Sequence, residues 1–248
     1  MPRRERITHA GFYHTVCRGV ERRNVFLDSS DYDKFLEILN EVRKEFNVII
    51  HSFCLMTNHY HLLLETKEDN ISLVMKYLNS HYAIYFNKKY KRTGHLWQGR
   101  FHSDYLYDEQ HFWYVAKYIE RNPIKANMVK ELHHYKYQSY FQWKYQGDFA
   151  FLLQGSKIFD FTLKEYTSYI SSEFEENIFE LIYTTPKIVK KDGETKVLYK
   201  RLVTFFEEDV HINRNVNIKR AFTYGYSKSE ISKFLGLSST AISKVINN

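Results

Sequence analysis

Cysteine is scarce: Cys17 and Cys54 are the only two in 248 residues, and they form no CxxC pair. That excludes a disulfide framework or a structural zinc knuckle as the basis of the fold. No uninterrupted apolar stretch approaches the roughly 18 residues a membrane span requires. The basic opening Met1-Pro2-Arg3-Arg4-Glu5-Arg6 is followed by no apolar signal core. A GxxxxGK[ST] phosphate loop is missing, so nothing points to ATP. Internal repeats and low-complexity tracts are missing too. These absences lead to the expectation of a protein of the reducing cytoplasm with no membrane attachment.

What is present is a hydrophobic fraction of 44%, enough for a real core, and a net charge of +7 from 36 Lys and Arg against 29 Asp and Glu. A basic surplus suits a polyanionic partner, because each cation near a phosphate releases a condensed counterion. Aromatic residues make up 17% of the chain. Most read as core, and some could stack on unpaired bases.

Periodicity gives the organisation. Phe12 to Arg18 alternates as a strand. Ser29, Ser30 and Asp31 offer a cap to a helix reaching about Phe46. Val48 to Met56 and His59 to Thr66 read as a hairpin around Thr57-Asn58. Asn70 opens a second helix whose apolar side is read as Leu73, Val74, Tyr77, Leu78 and Ile84. A fourth strand is expected within Gln98 to Tyr107. Asp108 caps a third helix expected to end near Asn122, because Pro123 disfavours helical geometry in the residue before it. The order strand, helix, strand, strand, helix, strand gives an α+β, ferredoxin-like (RRM-like) antiparallel sheet, with an α-helical C-terminal region after it. The expected division is 1–145 catalytic, 146–210 a mostly helical extension with no role assigned, and 211–248 a helix-turn-helix. Lys187 to Lys196 reads as an exposed turn or linker.

His59-Tyr60-His61 heads an otherwise apolar strand. Alternate strand residues share a face, so both imidazoles point one way and can grip one divalent cation. Ordinary strand histidines are the plainer alternative. On the third helix Tyr114, Tyr118 and Asn122 recur every four residues and share a face. Either they are a tyrosine stripe covering the sheet, or Asn122 adds an amide oxygen to the metal while Tyr118 projects one turn earlier. A free phenol has a pKa near roughly 10, so a nearby cation would be needed to favour the phenolate.

Four ordered blocks carry a family resemblance. Met56-Thr57-Asn58-His59-Tyr60-His61-Leu62-Leu63 resembles the HUH region of single-tyrosine transposases. Leu96-Trp97-Gln98-Gly99-Arg100-Phe101, the stretch Tyr118 to Ala126, and Arg18 to Phe26 are similar to further blocks of the REP-associated tyrosine transposase branch. Together they span roughly residues 7 to 145. The resemblance implies an RRM-like catalytic fold, dependence on Mg or Mn, Tyr118 as nucleophile, and His59, His61 and Asn122 as metal ligands. It also implies cleavage leaving a 5′-phosphotyrosine and a free 3′-hydroxyl on single-stranded DNA next to a hairpin or palindromic repeat, by a monomer or homodimer. Tyr114 is the lesser candidate nucleophile.

Arg18, Arg22, Arg23, Arg100, Arg121 and Lys125 lie in or beside these blocks and are candidate DNA contacts. Trp97 is either a stacking platform or core. Tyr226 to Ile246 resembles a helix-turn-helix, with Gly236 at the turn, Leu237 plugging it, and Ser239, Thr240, Ser243 and Lys244 exposed on the second helix for duplex DNA. Two other readings stand beside the nuclease: a non-catalytic DNA-binding regulator, and an RNA-binding module stacking bases without metal.

Overall fold

The computed structural model describes residues 7–106, 108–173, 187–191, 194–198, 202–207 and 213–247. The basic N-terminus, Tyr107 and much of the stretch 174–212 lie outside these residues. Two compact units divide the chain, one running from Thr8 to Phe174 and the other dominated by the C-terminal stretch from Glu175.

The first unit contains β1 (Gly11–Arg18), α1 (Ser29–Glu45), β2 (Val48–Leu55), β3 (His59–Thr66), α2 (Ile71–Lys89), β4 (His102–Leu106) and α3 (Glu109–Lys125). The strands pair antiparallel in the order β2-β3-β1-β4, the ferredoxin-like sheet expected from the sequence. The pleat sorts its residues onto two faces. Tyr13, Tyr60, Leu62 and Leu64 point into a core shared with Phe35, Leu39 and Val42 of α1 and Val74, Leu78 and Tyr82 of α2. Each such side chain contributes roughly 1.5–3 kcal/mol by leaving water. The opposite face carries Phe12, His14, Val16 and Arg18 in register with Glu65, Leu63, His61 and His59. Helix α3 crosses this second face, where Phe112 packs edge-on against Phe12 and His51.

Local chemistry sets the helix ends and moves several expected boundaries. The cap of α1 is Asp28, in a reciprocal capping box with Asp31, and not the Ser29–Asp31 stretch. Leu73 and Ile84 are 57% and 66% exposed, so the inward line of α2 is Ile71, Val74, Met75, Leu78, Tyr82 and Phe86. Apolar identity misled there, whereas spacing counted from Ile71 finds the buried stripe. Strand β4 starts only at His102, because Gln98 is drawn into a loop by its N–H bond to the Arg18 carbonyl and Gly99 takes a φ of 98°. Helix α3 runs through Pro123 to Lys125. The proline lies in the last turn, where its missing N–H removes a single helical bond, and its burial offsets that loss.

The compact unit also continues past residue 145. A 3-10 turn (Leu132–His134), α4 (Ser139–Tyr145) and α5 (Leu163–Ser171) follow α3, and Leu152, Leu153, Ile158, Tyr166 and Ile170 are buried in the same core as the sheet. Glu120 of α3 locks these pieces together. Its carboxyl accepts from Ser52 Oγ of β2 (3.0 Å), the Tyr140 N–H of α4 (3.1 Å), Tyr166 Oη of α5 (3.4 Å) and Ser139 Oγ.

In the second unit, β5 (Lys187–Lys191) and β6 (Glu194–Leu198) form an antiparallel hairpin where the sequence suggested only a turn or linker. Helices α6 (Thr204–Glu207), α7 (Arg214–Tyr224), α8 (Lys228–Leu235) and α9 (Ser239–Asn247) follow, around Phe205, Ile218, Ala221, Ile231 and Ile242. A capping box between Ser227 and Glu230 starts α8, and Gly236 ends it in the left-handed region at φ 64°. Ser238 Oγ accepts from the Ala241 N–H at 3.1 Å and opens α9. Among the described residues no helix is long and apolar enough to cross a membrane.

Candidate active site

The site lies on the sheet face that α3 covers. His59 and His61 emerge from the start of β3 on that face, with ring centroids 5.0 Å apart. Tyr60 points the other way, fully buried, with its hydroxyl donating to Asn79 Oδ1 at 2.7 Å. Tyr118 of α3 stands beside His61, its ring centroid 5.6 Å from that of the imidazole at an interplanar angle of 81°. Asn122 follows one turn later, 8% exposed. Its Nδ2 donates to the Tyr118 carbonyl at 2.9 Å. A carbonyl can only accept, so this bond identifies the amide nitrogen and leaves Oδ1 as the acceptor. Tyr114, one turn before Tyr118, is buried at 5% exposure, whereas Tyr118 is only half-buried.

The imidazoles are neutral. Burial pulls His59 down to about 4, helped by the nearby Arg18 guanidinium. Burial, with His14 and His59 alongside, holds His61 well below the usual histidine range. His14 belongs to this cluster and lies within the strand expected from Phe12 to Arg18, with no site role expected for it. Its Nε2 lies 3.0 Å from His61 Nδ1, the two rings stack at 5.2 Å, and its ring centroid is 6.0 Å from that of Tyr118. The one sequence signal for it was its alternation with Phe12 and Val16, which fixes a face but not a partner.

Three loops knit together beside His59. The Gly19 N–H bonds the Asn58 carbonyl, the N–H groups of Val25 and Phe26 bond the Thr57 carbonyl, and the Val20 N–H bonds the Leu96 carbonyl. Asn58 Nδ2 donates to the Arg22 carbonyl at 3.0 Å. Gly19 is required by this crowding, since a Cβ there would sit 2.3 Å from the Arg23 carbonyl oxygen. The blocks around Arg18, Asn58 and Trp97, far apart in sequence, thus converge, and Arg18 pairs directly across from His59. Arg22, Arg23 and Arg100 are exposed on these loops, with Arg23 paired to Glu21 at 2.5 Å. Lys125 Nζ lies 5.6 Å from the centre of the Tyr118 ring.

Two expected DNA contacts are engaged elsewhere. Trp97 donates through Nε1 to the Asn79 carbonyl at 2.9 Å and packs edge-on to Tyr60, on the core side of the sheet. Arg121 Nη1 donates to the carbonyls of Ile170, Ser171 and Ser172 and so caps the C-terminal end of α5. Ser239, Thr240, Ser243 and Lys244 lie on α9 of the second unit, where Ser239, Thr240 and Lys244 are exposed. A further cluster escaped sequence reading. Among the described residues, Glu131, His133 and His134 are the one group of three His, Cys, Asp or Glu whose donor atoms lie within 4.8 Å of one another.

A family model described as "Transposase IS200 like" matches residues 8–122, which include both histidines, Tyr118 and Asn122. Among solved structures, a REP-associated tyrosine transposase bound to a REP hairpin shares the fold, with a TM-score of 0.50, 17% identity, and coverage of 57% of this chain and 84% of that one. A transposase candidate from Deinococcus radiodurans aligns with a TM-score of 0.36 and 21% identity over 49% of this chain and 97% of its own. The tRNA(His) guanylyltransferase of Saccharomyces cerevisiae aligns with a TM-score of 0.36 and 9% identity over 83% and 96%. No curated protein matches the chain. Residues 8–122 of the first unit thus carry the pattern of the IS200-like transposases, single-tyrosine HUH proteins, and support a transposase-like function on DNA.

Proposed function

We propose that the chain is a single-strand DNA nuclease and strand transferase of the REP-associated branch, working through a covalent link to Tyr118. The observation that carries this reading is the placement of the half-buried Tyr118 phenol ring beside the HxH pair, 5.6 Å from His61. In the reaction, Tyr118 Oη bonds to a DNA phosphorus and the bond from phosphorus to the 3′-oxygen breaks. The phenol proton leaves and the 3′-oxygen takes one up, giving a 5′-phosphotyrosine and a free 3′-hydroxyl. One phosphate ester replaces another, so that hydroxyl, or one on another strand, can reverse the step without ATP.

The residues suit a divalent ion such as Mg or Mn. His59 and His61 are neutral, each has one ring nitrogen in a hydrogen bond, and the remaining nitrogen of each is a potential donor. Asn122 adds an amide oxygen, a hard ligand suited to such ions. When bound, the ion supplies positive charge that favours the phenolate and polarises a phosphate oxygen. Arg18, Arg22, Arg23 and Arg100, on the loops beside His59, and Lys125, beside Tyr118, would hold the DNA backbone. The single strand would adjoin a hairpin or palindromic repeat, and α8 and α9 would hold duplex DNA through Ser239, Thr240, Ser243 and Lys244. The histidines and Tyr118 come together within one chain, which supports a monomer able to complete its own site.

The test is incubation of the full-length protein with labelled hairpin single strands and Mn, followed by a denaturing gel. Wild type should form a denaturation-resistant adduct, and Tyr118→Phe should form none while still binding the strand. An adduct from Tyr118→Phe would move the nucleophile to another residue. No adduct from wild type on any strand would leave a DNA-binding regulator.

A further inference from the structure

We infer that His14 is a positioning residue: with Asp104 it forms a relay that holds His61 in the tautomer whose Nε2 lone pair faces the site. The inference rests on the functional reading above for its purpose, though not for its geometry.

Strand β1 lies between β3 and β4, and His14 touches both neighbours. It pairs directly opposite Asp104 on β4, and lies one pleat diagonally from His61, which pairs with Val16. Its Nε2 is 3.0 Å from His61 Nδ1, and its Nδ1 is 3.9 Å from Oδ2 of Asp104, whose carboxylate also meets His102 Nε2 at 3.0 and 3.1 Å. The first distance is a hydrogen bond, and the second is a close electrostatic contact. All three side chains are buried, at 8%, 5% and 8% exposure for His14, His61 and Asp104, so their mutual orientation is not averaged by water.

A neutral imidazole has one N–H and one lone pair, which leaves two arrangements. In one, the His14 Nδ1–H faces the Asp104 carboxylate, His14 Nε2 accepts, and His61 donates through Nδ1–H. His61 Nε2 then carries a lone pair. In the other, the His14 Nδ1 lone pair faces a carboxylate oxygen and the remaining proton of His61 sits on Nε2, where it blocks coordination. The carboxylate selects the first.

His59 reaches the same state by a separate route. Its Nδ1 is 2.6 Å from Asn58 Oδ1. That amide is oriented by Asn58 Nδ2 donating to the Arg22 carbonyl, which can only accept. Oδ1 must therefore accept from His59 Nδ1–H, and His59 too presents Nε2. Two unrelated local networks converge on the same tautomer for both members of the pair, as second-shell partners of metal-binding histidines do.

The test needs neither metal nor DNA at its first stage. Long-range 1H–15N correlation spectra of the metal-free full chain at neutral pH distinguish Nδ1–H from Nε2–H imidazoles. His14, His59 and His61 should all be Nδ1–H. A His61 that is Nε2–H overturns the inference. At the second stage, Mn is titrated calorimetrically. His14→Ala should weaken Mn binding by about 10- to 100-fold, the range typical of outer-shell partners. His14→Gln should recover most of it, since its amide oxygen can accept from His61 Nδ1–H. Wild-type affinity in His14→Ala would also overturn the inference, as would a Mn-bound structure with His14 itself bonded to the ion. If wild type makes no adduct with DNA, the functional reading fails while the tautomer result stands independently.

Discussion

The Tyr118 ring sits 5.6 Å from that of His61, nearly perpendicular to it, although one belongs to a helix and the other to a central strand. Asn122 is on the same face of that helix, and because its Nδ2 donates to the Tyr118 carbonyl, its Oδ1 is the amide atom that can act as a ligand. Replacing Asn122 with Ala should therefore weaken Mn binding by more than the roughly 10–100-fold loss typical of an outer-shell partner. Adduct yield should fall with it, while strand binding persists. Calorimetric Mn titration alongside the gel assay checks this, and unchanged Mn affinity would remove Asn122 from the ligand set.

That pairing of helix and strand was partly legible in the sequence. The HxH alternation, the four-residue steps of Tyr114, Tyr118 and Asn122, and the order of the strands all depend on local periodicity, which a sequence displays. His14 was not legible as a site residue, because its importance comes from the register of β1 against β3 and β4, a nonlocal fact. The contacts of Trp97 and Arg121 were not legible for the same reason. Their position in motif blocks says nothing of whether the side chain turns to the site, to Asn79, or to the end of α5. The continuation of the first unit beyond 145 was hidden by short helices and 3-10 turns whose periodicity is too brief to read.

Glu120 offers a stability test. Its buried carboxyl serves Ser52, Ser139, Tyr140 and Tyr166, which tie β2, α4 and α5 to the helix bearing Tyr118. Glu120→Ala strands several buried donors at a cost of about 1–3 kcal/mol each before relaxation. A loss of roughly 3 kcal/mol or more is expected in urea unfolding. A change below about 1 kcal/mol would mean that the network does not hold these elements together.

His51 gives a pH dependence. It is the extra residue at the bulge in β2, fully buried between Phe12 and Phe112, and its Nδ1 accepts from the Lys157 N–H at 3.0 Å. Burial, with the ammonium groups of Lys157 and Lys67 nearby, pulls it down to about 3. Glu65 Oε2 lies 3.6 Å from Nε2, but a neutral imidazole makes no ion pair with it. The unfolded chain, with an ordinary histidine, takes up a proton near pH 6.5 that the folded chain refuses until about 3. Stability should thus be unaffected by this group above pH 6.5 and fall as pH drops from 6.5 toward 3. His51→Gln should make that part of the stability curve shallower by the share of His51, with His59 and His61 still contributing, measured by denaturant unfolding at stepped pH. An equally steep fall in the variant would assign the acid sensitivity to other groups.

Gly19 tests whether the loops beside His59 act together. A Cβ there would overlap the Arg23 carbonyl and come within 2.7 Å of Val25 Cγ1, in a loop tied to Asn58. Gly19→Ala should cost about 1–3 kcal/mol by overpacking and lower adduct yield by displacing Asn58 from His59. Mn affinity should drop as well. Full adduct yield in the variant would separate this loop from the site.

The second unit makes a prediction about duplex DNA. Helix α9 presents Ser239, Thr240 and Lys244 to solvent, and Lys244 is the one cation among the proposed contacts of that helix. Phosphate contacts from Lys release counterions, so removing one reduces the slope of log affinity against log salt by about 1. Ser243→Asp combined with Lys244→Ala should weaken duplex binding several-fold and lower that slope by about 1. Adduct formation on a single-stranded hairpin, which uses residues of the first unit alone, should be unaffected. If duplex affinity and its salt slope do not change, α8 and α9 are a helical hairpin with no role on DNA. If adduct formation falls too, the two units share a single binding event.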